Sequence, residues 1–201
     1  MTGAPVTTAA SPPAQPPAPP TPAAPPVVEQ PRPRPSETGV WIAIAAISMT
    51  FAALTSAMVV RGSAAADWRH FRLPPILYLN TAVLLASSAV LEAGRRRVAG
   101  HLVWVTLGLG LVFVAGQIVA WRQLAAQGLF LATSPSSAFF YVFTALHGLH
   151  LLGGLGGLGY VLRRFDAAGP APVPALGAAA LYWHFMDVLW LCVLVLLVLR
   201  V

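Results

Sequence analysis

From residue 38 onward the chain alternates between long apolar runs and short polar breaks. Val40 to Val60 is a stretch of twenty-one residues without a charge. At 1.5 Å per residue that run matches the ~30 Å hydrocarbon layer, which about twenty helical residues cross. Arg61 ends it, and Asp67, Arg69, His70 and Arg72 fill a polar break that closes on Pro74-Pro75. The next breaks are Glu92 with Arg95-Arg96-Arg97, then Arg122 to Ser137 with the turn-forming Thr133-Ser134-Pro135-Ser136, then Arg163-Arg164 with a Pro/Gly loop from Asp166 to Pro174. The pattern predicts an all-α integral membrane bundle of five transmembrane helices, over about 40–60, 75–92, 101–121, 138–162 and 175–199. An odd number of spans places the two termini on opposite sides of the membrane.

Residues 1–37 do not fit this pattern. Thirteen of the nineteen prolines lie there, interleaved with Ala, Thr and Val, a composition that cannot build a packed core. The segment reads as a disordered Pro/Ala-rich tail ahead of a membrane domain over 38–201. It has no basic start followed by an apolar core, so it is expected to stay on the mature chain.

Composition supports the membrane reading: 57% of the 201 residues are hydrophobic, 9% are charged and the mean hydropathy is +0.74. All twelve basic residues are Arg, giving a net charge of +6. They sit in the short breaks rather than on one polar face, so anionic lipid headgroups are the expected partners and nucleic acid is not. The side of the N-terminus would carry Arg32, Arg34, Arg95, Arg96, Arg97, Arg163 and Arg164, against Arg61, Arg69, Arg72, Arg122 and Arg200 on the other. Basic residues favour the cytoplasm, so a cytoplasmic N-terminus and a periplasmic C-terminus are expected. Trp41, Trp68, Trp104 and Trp121 fall near span ends, where their rings anchor in the headgroup layer. The lone Cys192 permits no intrachain disulfide.

Polar side chains inside the spans are costly and therefore informative. His147 and His150 share one face of the fourth span, and His184 and Asp187 share one face of the fifth. The two spans are joined by a short loop, and counting inward from it brings the two pairs to the same depth. Lipid offers no hydrogen bonds, so the simplest arrangement has Asp187 accepting from an imidazole N–H. Three readings stay open on these residues alone: a metal or haem site, a proton-conducting chain, or a structural hydrogen-bonded lock. Gly153 and Gly157 form a small-xxx-small pair expected to admit a neighbouring helix. No nucleophile elbow, phosphate-cradling loop or zinc-protease motif occurs, so no catalytic residue is assigned.

Two stretches go further. Phe139-Phe140-Tyr141-Val142-Phe143-Thr144-Ala145-Leu146-His147-Gly148-Leu149-His150-Leu151-Leu152-Gly153-Gly154 resembles the penultimate helix of subunit III of haem-copper (cytochrome c) oxidases. Tyr182-Trp183-His184-Phe185-Met186-Asp187-Val188-Leu189-Trp190 resembles the last one. The run Leu73 to Thr81 with Ser87-Ser88, and Ala115-Gly116-Gln117 with Trp121, are similar to bacterial five-helix members. The resemblance covers about 39–201. It implies a non-catalytic subunit, without a redox metal or other cofactor of its own, beside a subunit I that carries haem and copper, with subunit II in the same complex. It also implies bound phospholipid, and support of assembly and proton uptake in aerobic respiration at the bacterial inner membrane. On this view His147, His150, His184 and Asp187 are structural or proton-handling and no residue is a metal ligand. The carboxylate that many members carry in the first of these spans is missing, since none occurs from Val40 to Val60. Rival readings are the accessory subunit of a nitric oxide reductase or quinol oxidase, and a small proton-coupled transporter.

Overall fold

A computed structural model describes residues 35–64, 67–166 and 173–200. They form five helices: α1 (Pro35–Ala64), α2 (Ile76–Arg97), α3 (Gly100–Ala126), α4 (Pro135–Asp166) and α5 (Val173–Arg200). Each is long and apolar enough to cross a membrane. All five extend beyond the apolar runs at one end or both.

The ends follow local rules. α1 begins at Pro35, three residues inside the expected tail, because proline is preorganised for a first helical turn and Glu37 faces the positive end of the helix dipole. The rest of that tail, 1–34, lies outside the described residues. Ser134 and Ser137 cap α4 reciprocally, each hydroxyl accepting the other's backbone N–H at 3.3 and 3.1 Å, with Pro135 in the first turn. Gly128, just past the end of α3, has a φ of 77° that lets the Leu129 N–H reach back to the Leu124 carbonyl at 3.1 Å.

α2 packs on α3, α3 on α4, α4 on α5 and α5 back on α2, closing a ring of four, while α1 lies outside against α4 and α5. The core is built on Trp183, Trp190, Phe113, Phe140 and Phe143, all fully buried. α1 contributes Ile47, Phe51 and Met58. Close approach is made at Gly116, where an added Cβ would lie 2.0 Å from Asn80 Oδ1 on α2.

Of the tryptophans expected at the membrane surface, Trp41 and Trp104 project outward. The other two also brace the fold. Trp68 Nε1 donates to the Arg200 carbonyl at 2.8 Å, and Trp121 Nε1 donates to Thr144 Oγ1 at 2.9 Å.

Candidate functional site

The polar groups of the bundle interior gather along the seam between α2 and α5. These helices run antiparallel, and residues two turns apart on one meet residues two turns apart on the other. Trp190 Nε1 donates to Thr81 Oγ1 at 2.9 Å, and Trp183 Nε1 donates to Ser87 Oγ at 3.0 Å. The hydroxyls pass the bond on to their own helix, Thr81 to the Leu77 carbonyl at 2.8 Å and Ser87 to the Leu84 carbonyl at 2.6 Å. Each buried indole N–H is thus satisfied inside the protein, as a lipid environment requires.

His184 occupies the next position along the seam. Its Nδ1 is hydrogen-bonded to Ser88 Oγ, and its Nε2 lies 3.7 Å from Glu92 Oε2. Glu92 accepts from Arg95 Nε and Nη2 and from Arg96 Nε, each at 2.7 Å. One carboxylate facing two guanidinium groups forms a multidentate, charge-assisted cluster at the end of α2. Its Arg side chains stay largely exposed.

The structure separates the four residues expected to form one cluster. His147 is fully buried between Trp190 and Phe113, with ring centroids 4.9 and 5.9 Å away, and neither ring nitrogen has a hydrogen-bond partner. His150 turns toward α1, where Phe51 meets its ring at 6.1 Å, and its Nδ1 donates to its own helix at the Leu146 carbonyl, 2.7 Å away. His184 turns toward α2. Asp187 is buried, and neither carboxyl oxygen is in hydrogen-bond geometry with a protein group.

The expected acceptance of an imidazole N–H by Asp187 is therefore corrected. Residues three apart on a helix share a face only loosely, about 60° apart around the axis. In a ring of helices that angle sends two such side chains to different neighbours. The two pairs are nevertheless level with one another. Tyr182 Oη donates to the His150 carbonyl at 2.9 Å, and His147 stacks on Trp190.

The glycine expectation is also corrected. Nothing lies within 4 Å of a Cβ added at Gly157, and only Tyr182 Oη, at 3.9 Å, is met from Gly153. These two residues line an open groove of about 470 Å³ between α1, α4 and α5. The close approach is made one residue along, at Gly154, where an added Cβ would lie 3.1 Å from Tyr182 Cε1.

No site role is read from the sequence for Thr81, Ser87 or Ser88. Thr81 and Ser87, six apart on α2, meet Trp190 and Trp183, seven apart on α5, so no shared spacing announces the pairing. Among the described residues, no group of three or more His, Cys, Asp or Glu side chains is placed to hold a metal ion.

Fold and site together define a five-helix membrane subunit held by an internal polar seam. Residues 41–199 match the family model described as cytochrome c oxidase subunit III. The chain is similar to a probable cytochrome c oxidase subunit 3 of Nocardia farcinica, 33% identical over 80% of this chain and 85% of that one. A probable cytochrome c oxidase subunit 3 of Mycobacterium leprae is 34% identical over 80% and 85%. The cytochrome c oxidase subunit 3 of Synechocystis is 31% identical over 79% of this chain and 72% of its own. The chain belongs to the cytochrome c oxidase subunit III family. It is an accessory subunit of a haem-copper oxidase, an oxidoreductase complex of the respiratory chain.

Proposed function

We propose that this chain sits directly against the haem- and copper-bearing subunit I of a bacterial inner-membrane oxidase, with subunit II in the same assembly. There it supports assembly and proton uptake while cytochrome c is oxidised and oxygen reduced. The observation that carries this reading is the family match along 41–199, which takes in all five helices. The N-terminus is assigned to the cytoplasm because the Arg95–Arg97 cluster, in the short connection between α2 and α3, is the densest basic group between any two spans.

Phospholipid is the ligand we assign to the outer grooves. One, about 700 Å³, runs between α1 and α5 and is lined by Phe51, Phe185, Leu189 and Leu196. The other holds Gly153 and Gly157. Both are open and almost wholly apolar, which suits acyl chains. In this reading His147, His150, His184 and Asp187 serve structure and proton handling.

The test is to tag the chain in its native host, extract the complex in mild detergent, identify the co-purifying chains and record the reduced-minus-oxidised spectrum. Haem a bands with a large multi-helix partner are expected. Recovery of the chain alone, or with a nitric oxide reductase, would overturn the reading.

A further inference from the structure

The outer face of the α2–α5 seam differs in kind from the grooves beside it. On α2, Leu85, Ser88 and Glu92 lie on one stripe at three- and four-residue steps, and on α5 His184 and Val188 lie one turn apart. The apolar members project outward, Leu85 at 45% exposure and Val188 at 59%. So do the ionisable ones: the side chains of Glu92 and His184 are 24% and 41% exposed, with His184 Nε2 3.7 Å from Glu92 Oε2. α1 contacts α4 and α5 but not α2, so among the described residues no further helix covers this face.

The depth of this exposure decides what can lie against it. Val173 to Trp183, eleven residues without a charge, separate His184 from the start of α5, about 16 Å of helix at 1.5 Å per residue. The hydrocarbon layer is ~30 Å thick, so on α5 the imidazole and the carboxylate it faces are level with the interior of that layer. Acyl chains offer neither group a hydrogen bond, and an ionised carboxylate exposed to them is costly. The two grooves assigned to lipid carry no charged side chain in their walls. The seam is therefore a face that needs a cover other than lipid.

The same cluster sets the chemistry of that cover. Glu92 accepts from Arg95 Nε and Nη2 and from Arg96 Nε. One carboxylate between two guanidinium groups leaves a surplus positive charge. Arg96 Nη1 and Nη2 have no hydrogen-bond partner among the described residues, and the Arg96 side chain is 74% exposed. A lipid phosphate would take those donors but would lay its acyl chains on Glu92 and His184. A protein helix with an acidic side chain meets both demands.

We infer that the outer face of the α2–α5 seam is the surface through which this chain docks to its oxidase partner. The occupant is a transmembrane helix of subunit I that carries an acidic side chain level with Arg96 and apolar side chains against Leu85 and Val188. The inference deepens the placement proposed above and rests on it for the partner's identity. A carboxylate reaching Arg96 fills its free N–H donors in the forked geometry a guanidinium offers, and the same helix removes Glu92 and His184 from lipid.

The experiment uses the intact complex. A photoreactive benzophenone side chain replaces Leu85, Val188 or, on the outward face of α3, the exposed Val112; membranes are irradiated and the crosslinked products identified by mass spectrometry. Leu85 and Val188 are expected to join this chain to one helix of subunit I with an Asp or Glu facing Arg96, and Val112 to label lipid. Adducts of the seam positions with lipid alone or with residues 1–34 of this chain, a crosslinked helix without an acidic side chain, or crosslinks to subunit I from Val112 alone would overturn the docking face. Arg96→Glu reverses the surplus charge and is expected to lower recovery of subunit I about tenfold or more, while Arg96→Lys retains it; equal recovery from Arg96→Glu and the unaltered chain would overturn the acidic complement. The probes at Leu85 and Val188 leave the cluster intact, so they decide the matter where Arg96→Glu does not accumulate. An oxidase recovered with seam adducts to lipid alone refutes the docking face and leaves the placement beside subunit I standing. A chain recovered without an oxidase refutes that placement; seam crosslinks to an acidic transmembrane helix of another identified subunit would then keep the docking face, and lipid adducts alone would overturn it too.

Discussion

Gly116→Ala tests the packing account most sharply, because one added carbon meets a defined obstacle. The new Cβ would lie 2.0 Å from Asn80 Oδ1 and 2.7 Å from its Cγ, where ordinary contact begins at 3.4 Å. Asn80 must therefore move by more than an ångström. It is 2% exposed, and its Nδ2 donates to the Phe113 carbonyl on α3 at 3.3 Å. Overpacking of this kind costs about 1–3 kcal/mol. Loss of the buried hydrogen bond adds about 1–3 kcal/mol. Replacing Gly by Ala inside a helix offsets about 1 kcal/mol. The net expectation is a loss of about 1–5 kcal/mol. Denaturant titration of the purified complex, followed by release of this chain, measures it. Asn80→Ala combined with Gly116→Ala should recover most of the loss, since the obstacle and the stranded amide disappear together, with a coupling of about 1–3 kcal/mol. Wild-type stability in Gly116→Ala, or simple additivity in the double variant, would refute the α2–α3 contact as described.

Three further outcomes follow from the same geometry. Trp190→Phe keeps the ring in the core but removes the N–H that Thr81 accepts, so stability should fall by about 1 kcal/mol, and Thr81→Val should add little in that background. His147→Phe replaces a buried imidazole without hydrogen-bond partners by an apolar ring between Phe113 and Trp190. Stability, read by the same titration, should stay level or rise, and a loss of several kcal/mol would show that His147 has a polar partner in the complex. Deleting residues 1–34, which precede α1 and whose proline-rich composition cannot pack a core, should leave co-purification with the oxidase intact; loss of the partner would make that segment a docking element.

The five spans were legible in the sequence because spanning a bilayer is a local property, set by the length of an uncharged run. The short loop between the fourth and fifth spans likewise made α4 and α5 antiparallel neighbours, and their depths agreed, as Tyr182 against His150 and Trp190 against His147 show. The same local reading singled out His147, His150, His184 and Asp187 inside the spans, though not the buried Asn80. It placed Glu92 with its arginines, a pairing of residues three and four apart on one helix.

Partnership was decided only by the tertiary structure. Asp187 was read as the acceptor of an imidazole N–H, whereas His184 bonds Ser88 on α2; Gly153 and Gly157 were read as a helix contact, which Gly154 makes instead. In each case the error is one of direction around a helix axis, where neighbouring positions differ by 100°. Composition and spacing specify which residues lie on a helix and how deep, because these depend on that helix alone. Direction depends on which neighbours close the ring, and the contact of α2 with α5, separated by two intervening helices in the chain, is written in no local pattern of either one.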